Sequence, residues 1–204
     1  MKTFMTAKLP LFLLLAVGPL TARAETIHLE AERMTFVLPD GWVEIPEEIR
    51  IQRMAEIEKS LAKPKTLKYT HVFQPSNVDW FSYPYIIVEP QNERRFSEAE
   101  LHTIPAVDLS KMGDRAKEYD PKVLSSVSIG KLVYDPVSRK AWTQSKITAS
   151  GLNVEALMMM QITQLGAINF GFYQTAEQFE EWFPVFMKIA TSVTPDPEIA
   201  YRPD

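Results

Sequence analysis

The segment from Asn153 to Val193 restricts the fold more than any other part of the chain. Asn153–Thr163 carries a single charged residue, Glu155, and Ala167–Tyr173 carries none. Leu165-Gly166 separates them and has turn chemistry. Two short apolar runs bounded by a turn read as antiparallel neighbours buried on both faces. Ala176, Phe179, Trp182, Phe183, Phe186, Ile189, Ala190 and Val193 then recur at helical spacing. That stripe must land on the sheet. Upstream, Ser126–Tyr134 and Arg139–Thr148 add two strands joined around Asp135-Pro136, and Ser150-Gly151 turns the chain into the third. The unit is four consecutive antiparallel strands closed by a helix. Thr175 and Gln178 read as a capping box for that helix, and Pro184 should bend it.

The rest of the chain supplies more strands and the missing cover. Ile27, Leu29 and Ala31 alternate with polar residues, as do Met34, Phe36 and Leu38, which gives one bent strand or a tight hairpin. Pro39-Asp40-Gly41 ends it. A helix starts at Pro46, with Glu47 and Glu48 at its positive end. Ile51, Met54, Ile57 and Leu61 form its apolar stripe. Lys68–Phe73 and Tyr83–Glu89 are strands. Ser97 and Glu100 open another helical region, which Pro105 divides. Short turns between strands make the sheet mostly antiparallel, and three amphipathic helices can cover both faces. The expected fold class is α+β, an α/β/α sandwich with a mostly antiparallel sheet flanked by helices. Residues 25–193 form one domain and 194–204 an extended tail.

Phe36-Val37-Leu38-Pro39-Asp40-Gly41-Trp42 resembles the strand and P-x-G-W opening of PsbP-like and DcrB-like domains. The close, Glu177 to Val193, is similar to their terminal helix, and the order of elements between agrees. The resemblance implies a non-enzymatic binding or assembly domain, often exported. It carries over no catalytic residues and implies no photosystem partner.

The first residues read as an address. Lys2 and Lys8 flank the start of an apolar run, Leu9–Leu20, broken by Gly18 and Pro19. Ala22 and Ala24 place small residues at −3 and −1, so a secretory signal peptide would be cut between Ala24 and Glu25. The run is about 12 residues against the ~20 that span a bilayer, and no later segment is long and apolar enough. The expected location is periplasmic or secreted, with no membrane span after processing. Cleavage removes Lys2, Lys8 and Arg23 and no acid, taking the net charge from −4 to −7. An acidic surface argues against nucleic acid. The absence of cysteine excludes disulfides, thiolate metal sites and cysteine nucleophiles.

No catalytic pattern stands out. His28, His71 and His102 lie on different elements and show no ligand spacing. Met158-Met159-Met160 suggests a soft metal, but neighbouring strand residues point to opposite faces, so the three read as core. Neither metal nor cofactor is expected. The loop before the second of the middle strands is different. Asp79, Trp80, Phe81, Tyr83 and Tyr85 place four aromatics within six positions beside a carboxylate. Aromatics supply large contact area at low entropic cost. The first expectation is therefore a non-enzymatic accessory protein of the cell envelope, docking a protein partner through Asp79–Tyr85. The alternative is a small periplasmic ligand-binding protein or hydrolase whose site gathers dispersed residues such as His71, Asp79 and Glu89.

Overall fold

The computed structural model describes residues 24–61, 66–91, 94–119 and 124–203. The predicted signal peptide therefore lies outside the described residues, except for Ala24.

Two antiparallel sheets carry the fold. The larger contains β3 (Trp42–Glu44), β4 (His71–Pro75), β5 (Tyr85–Gln91), β6 (Leu124–Ile129), β7 (Val133–Asp135), β8 (Lys140–Ala149), β9 (Leu152–Thr163) and β10 (Gly166–Thr175). Its order is β3-β4-β5-β10-β9-β8-β6, with β7 also on β8. The charge-poor strands β9 and β10 thus sit in the middle, flanked by β8 and β5. Ser150 and Gly151 have φ of 50° and 82°, the left-handed pair that a tight hairpin needs, and they join β8 to β9.

The N-terminal residues form a separate small sheet, order β1-β2-β11, from β1 (Glu25–Leu29), β2 (Met34–Leu38) and β11 (Thr194–Pro195). It shares the cover of one face of the large sheet with helix α4 (Phe179–Ser192). Phe36 is fully buried between them, edge-on to Phe73 at 5.4 Å and to Phe170 at 5.6 Å. Ile86, Val88, Leu157, Met159, Phe170 and Phe172 complete this core from the sheet side, and Phe179, Phe186, Ile189 and Ala190 from the helix. The sheet is mostly antiparallel and has helices on both sides, as the sequence implies. The added small sheet is what the sequence does not disclose.

Three helical pieces lie against the opposite face: α1 (Glu47–Ser60), α2 (Glu98–Thr103) running into a short 3-10 turn at Ile104–Ala106, and α3 (Ser110–Tyr119). The Ser97–Glu100 capping box is present on α2, with Pro105 in the 3-10 turn that ends it. The Thr175–Gln178 box on α4 is not: Thr175 is still paired to Val154 as the last residue of β10, so α4 begins only at Phe179 and Gln178 caps it without a side-chain bond. The far end of α4 is capped by another element. Lys140, almost wholly buried, sends its ammonium to the carbonyls of Ala190 (3.1 Å) and Thr191 (2.9 Å). A cation on free C-terminal carbonyls is favoured by the helix dipole. Burial nevertheless pulls the Lys140 pKa below its ordinary value, against an upward pull from Asp135.

Helix α1 departs from the sequence reading. None of its residues is buried, and Ile51 is 52% exposed. Its attachments are polar. The Arg50 guanidinium donates to the Tyr69 carbonyl, and the Leu67 amide donates to Glu58 Oε1 at 2.6 Å. Of the stripe that looked like a core face, Ile51 is exposed and Met54, Ile57 and Leu61 are half-buried. The tail folds back: Ile199 is buried, Gln164 Nε2 donates to the Ala200 carbonyl at 3.0 Å, and the Tyr201 hydroxyl donates to the Phe96 carbonyl at 2.9 Å.

Candidate partner-binding site

The β4–β5 connection is built around one amide. Gln74, in β4, is fully buried. Its Nε2 donates to the carbonyls of Val78 (3.3 Å) and Asp79 (3.0 Å), and its Oε1 accepts from the Phe81 amide at 2.7 Å. These bonds satisfy loop backbone groups that would otherwise be left unpaired beside the core. The Ser82 amide closes a turn onto the Asp79 carbonyl at 3.0 Å, and Ser76 ties the loop base to the Gly41 carbonyl at 2.7 Å. Phe81 takes a left-handed φ of 64°, and the Tyr83–Pro84 peptide is cis. The loop therefore has a defined shape.

That shape divides the five residues singled out from the sequence. Asp79 and Trp80 face solvent, Trp80 with 44% of its surface exposed. Phe81 is half-buried beside it. Tyr83 and Tyr85 turn away from the tip onto the sheet. Tyr83 stacks on Tyr85 at 5.0 Å, and Tyr85 stacks on Tyr173 of β10 at 5.2 Å. Burial, then the neighbouring phenols, pushes the Tyr85 hydroxyl well above its ordinary pKa; burial does the same for Tyr173. Tyr69 is pushed up to about 12 by burial and by Glu89. Tyr69, Tyr85 and Tyr173 are thereby held neutral, and the stacked rings brace the loop from below.

The surface at the tip includes residues that sequence reasoning missed. Trp80 and Phe81 share a recess of about 310 Å³ with Ile49, Gln52, Arg53 and Glu56 of α1. Arg53 and Glu56 pair at 3.2 Å on its rim. The apolar stripe read from the sequence, Ile51, Met54, Ile57 and Leu61, contributes none of these residues, so the sequence held no signal for the recess. The result is an exposed indole beside a half-buried ring, rimmed by an arginine, a glutamine and a glutamate. It offers no nucleophile and no acid–base pair. Aromatic and arginine side chains are the ones that dominate binding energy where proteins meet.

The dispersed constellation does not assemble. His71 lies between two carboxylates, with Nδ1 2.6 Å from Glu44 Oε1 and Nε2 3.1 Å from Glu32 Oε2. Burial would lower its pKa, but the hydrogen bonds and charges of Glu32 and Glu44 outweigh burial and hold it up at about 9. Burial would raise Glu32, and hydrogen bonds from His71 and Thr70 outweigh it and hold the carboxyl below its ordinary value. The trio ties the β1–β2 turn to the edge of the large sheet. Asp79 sits at the loop tip, and Glu89, one residue on from Val88, faces the opposite side of the sheet from His71, which pairs with Val88. None of the larger cavities is lined by any of the three. His28 instead meets Thr35 Oγ1 at 2.9 Å, and His102 is exposed on α2. Among the described residues no group of histidine and carboxylate side chains could hold a metal ion.

No family model and no curated protein matches the chain. The solution structure of cyanobacterial PsbP (CyanoP) from Synechocystis sp. PCC 6803 does match in three dimensions. It aligns with a TM-score of 0.54 over 89% of this chain and 96% of that one. The fold is PsbP-like. At 12% sequence identity the likeness is one of architecture. It agrees with the PsbP-like half of the resemblance read from Phe36–Trp42 and the terminal helix.

Proposed function

We propose that this protein is an exported, non-catalytic accessory protein that docks a protein partner of the cell envelope through the Trp80 tip and the adjoining face of α1. The observation that carries the reading is Trp80 itself: a large ring held in solvent by a loop that the Gln74 amide fixes from inside. Holding an aromatic outward on a pre-shaped loop reduces the entropy lost on binding. The PsbP-like fold, the recess beside Arg53 and Gln52, and the absence of a gathered catalytic trio support it. Export rests on the signal-peptide pattern ending at Ala22 and Ala24. Asp79 and Phe81 flank the anchor; Tyr83 and Tyr85 support the loop. Residues 25–193 then act as one domain with 194–204 as its returning tail.

The test is crosslinking capture from envelope extract by the wild-type protein and by Trp80→Ala and Arg53→Glu, after circular dichroism has shown that all three fold. A partner captured by the wild type and lost by both variants supports the reading. Equal capture by all three, or no capture, refutes it.

A further inference from the structure

The large sheet carries its main core on the side of α4 and is left partly open on the other. On the open side α2 and its 3-10 turn close one corner, where Leu101 and Ile104 pack on Ala141 and Ile162. Helix α3 lies on β6 so closely that a Cβ at Gly113 would overlap the Val127 carbonyl oxygen. Between α3 and the middle strands remains a cavity of about 370 Å³. Leu109 and Met112 line it from α3 and the segment before it, Val127 and Ile129 from β6, and Met158 and Met160 from β9. Strand alternation sends Met159 into the opposite core, where it is buried, and leaves Met158 and Met160 half-exposed on this wall. Met112 is 51% exposed. The sequence reading assigned this methionine run to core packing. It holds for Met159, and for Met160, which packs half-buried against the Leu101, Ile104, Ala141 and Ile162 cluster, while Met158 stays half-exposed on the cavity wall.

Three observations define what would fit. The wall is apolar, and its three thioethers are flexible and polarisable, a surface that adapts to an irregular or mobile chain. The cavity continues past Leu109 and Ile129, which also line an adjoining recess of about 430 Å³. The space is therefore elongated. At the far chamber stands Lys131, exposed on the β6–β7 connection and with no ion-pair partner among the described residues. Asp108 lines the same recess and is already engaged by a neighbour. A lone cation at the mouth of an apolar trough, on an otherwise acidic protein, complements an anionic head on an apolar tail.

We propose that the trough between α3 and the open sheet face binds a single-chain amphiphile with an anionic head, such as a fatty acid, its tail over Met112, Met158 and Met160 and its head at Lys131. This site is separate from the Trp80 tip.

The delipidated protein is titrated with laurate below its micelle concentration by calorimetry, and with dodecanol in parallel, each also displacing dansyl-undecanoate. Saturable one-to-one binding of laurate is expected. Leu109→Trp, which fills the trough, and Met158→Glu, which charges its wall, should each weaken both ligands by about tenfold or more. Lys131→Glu should weaken laurate by about threefold and leave dodecanol unchanged. Trp80→Ala should bind laurate as the wild type does. Absence of saturable binding overturns the site, as does binding unaffected by Leu109→Trp and Met158→Glu in variants whose circular dichroism is native. Equal effects of Lys131→Glu on laurate and dodecanol overturn the anionic head. Light scattering that shows a dimer lost in Leu109→Trp, without laurate uptake, assigns the trough to a second copy of the chain instead.

Discussion

Replacing His71 with glutamine should remove a stability contribution that depends on pH in a specific direction. In the fold His71 bridges Glu32 and Glu44 and has a pKa of about 9, against about 6.5 when unfolded. A shift of that size corresponds to about 3 kcal/mol in favour of the charged form in the native state. Glu44 is 46% exposed, so solvent screens its share, and about 2 kcal/mol is the better expectation. The sign follows from the raised value. The contribution is complete below about pH 6.5, and it is lost as pH rises through about 9. On the acid side Glu32, held below its ordinary value, contributes above that value and loses its contribution as pH falls through the lowered one. The wild type should therefore be most stable in mildly acidic solution and weaken toward about pH 10. His71→Gln should be less stable at about pH 6 and should lack most of the alkaline decline, so the two curves converge. Urea midpoints across that range measure both. A constant gap between the two proteins at mildly acidic and strongly alkaline pH would refute the charge-based account and leave only packing.

Three further outcomes follow from single contacts. Gln74→Leu keeps the volume of the buried side chain but orphans the Phe81 amide and two loop carbonyls; a loss of about 1–3 kcal/mol is expected, with faster hydrogen exchange confined to 76–84, and exchange unchanged there would count against the clamp. Lys140→Met leaves the Ala190 and Thr191 carbonyls without their buried donor, and should cost about 1–3 kcal/mol in urea unfolding, read also as fraying at the end of α4. Gly113→Ala gains about 1 kcal/mol of helix propensity, but it pushes a methyl group into the Val127 carbonyl. Net destabilisation on the order of 1–3 kcal/mol is expected, and a stabilised variant would show that α3 does not sit directly on β6.

Much of the fold is written locally. The β9–β10 hairpin, the Ser97 capping box, the Pro105 break and the α4 stripe each follow from a few neighbouring residues, because period, turn chemistry and capping are set by backbone geometry over one or two turns. The alternation of Met158, Met159 and Met160 was legible for the same reason. What covers each face was not. The small sheet needs Thr194–Pro195 to pair with Met34–Thr35, a contact between distant parts of the chain that no local pattern encodes. The stripe of α1 had the right spacing for burial, yet the helix is held by Arg50 and Glu58 and keeps Ile51 in solvent.

The candidate site shows the same division. The aromatic cluster at 80–85 was visible as composition, but composition does not aim side chains. Gln74, an unremarkable polar residue in a strand, turns Trp80 outward, while stacking on Tyr173 turns Tyr83 and Tyr85 inward. Sequence by itself determined which segments are strands and helices and which of their faces are apolar. Tertiary structure decided which of those faces are covered, because burial is settled by partners that meet only when distant segments pack, and the surfaces left open are the ones available for binding.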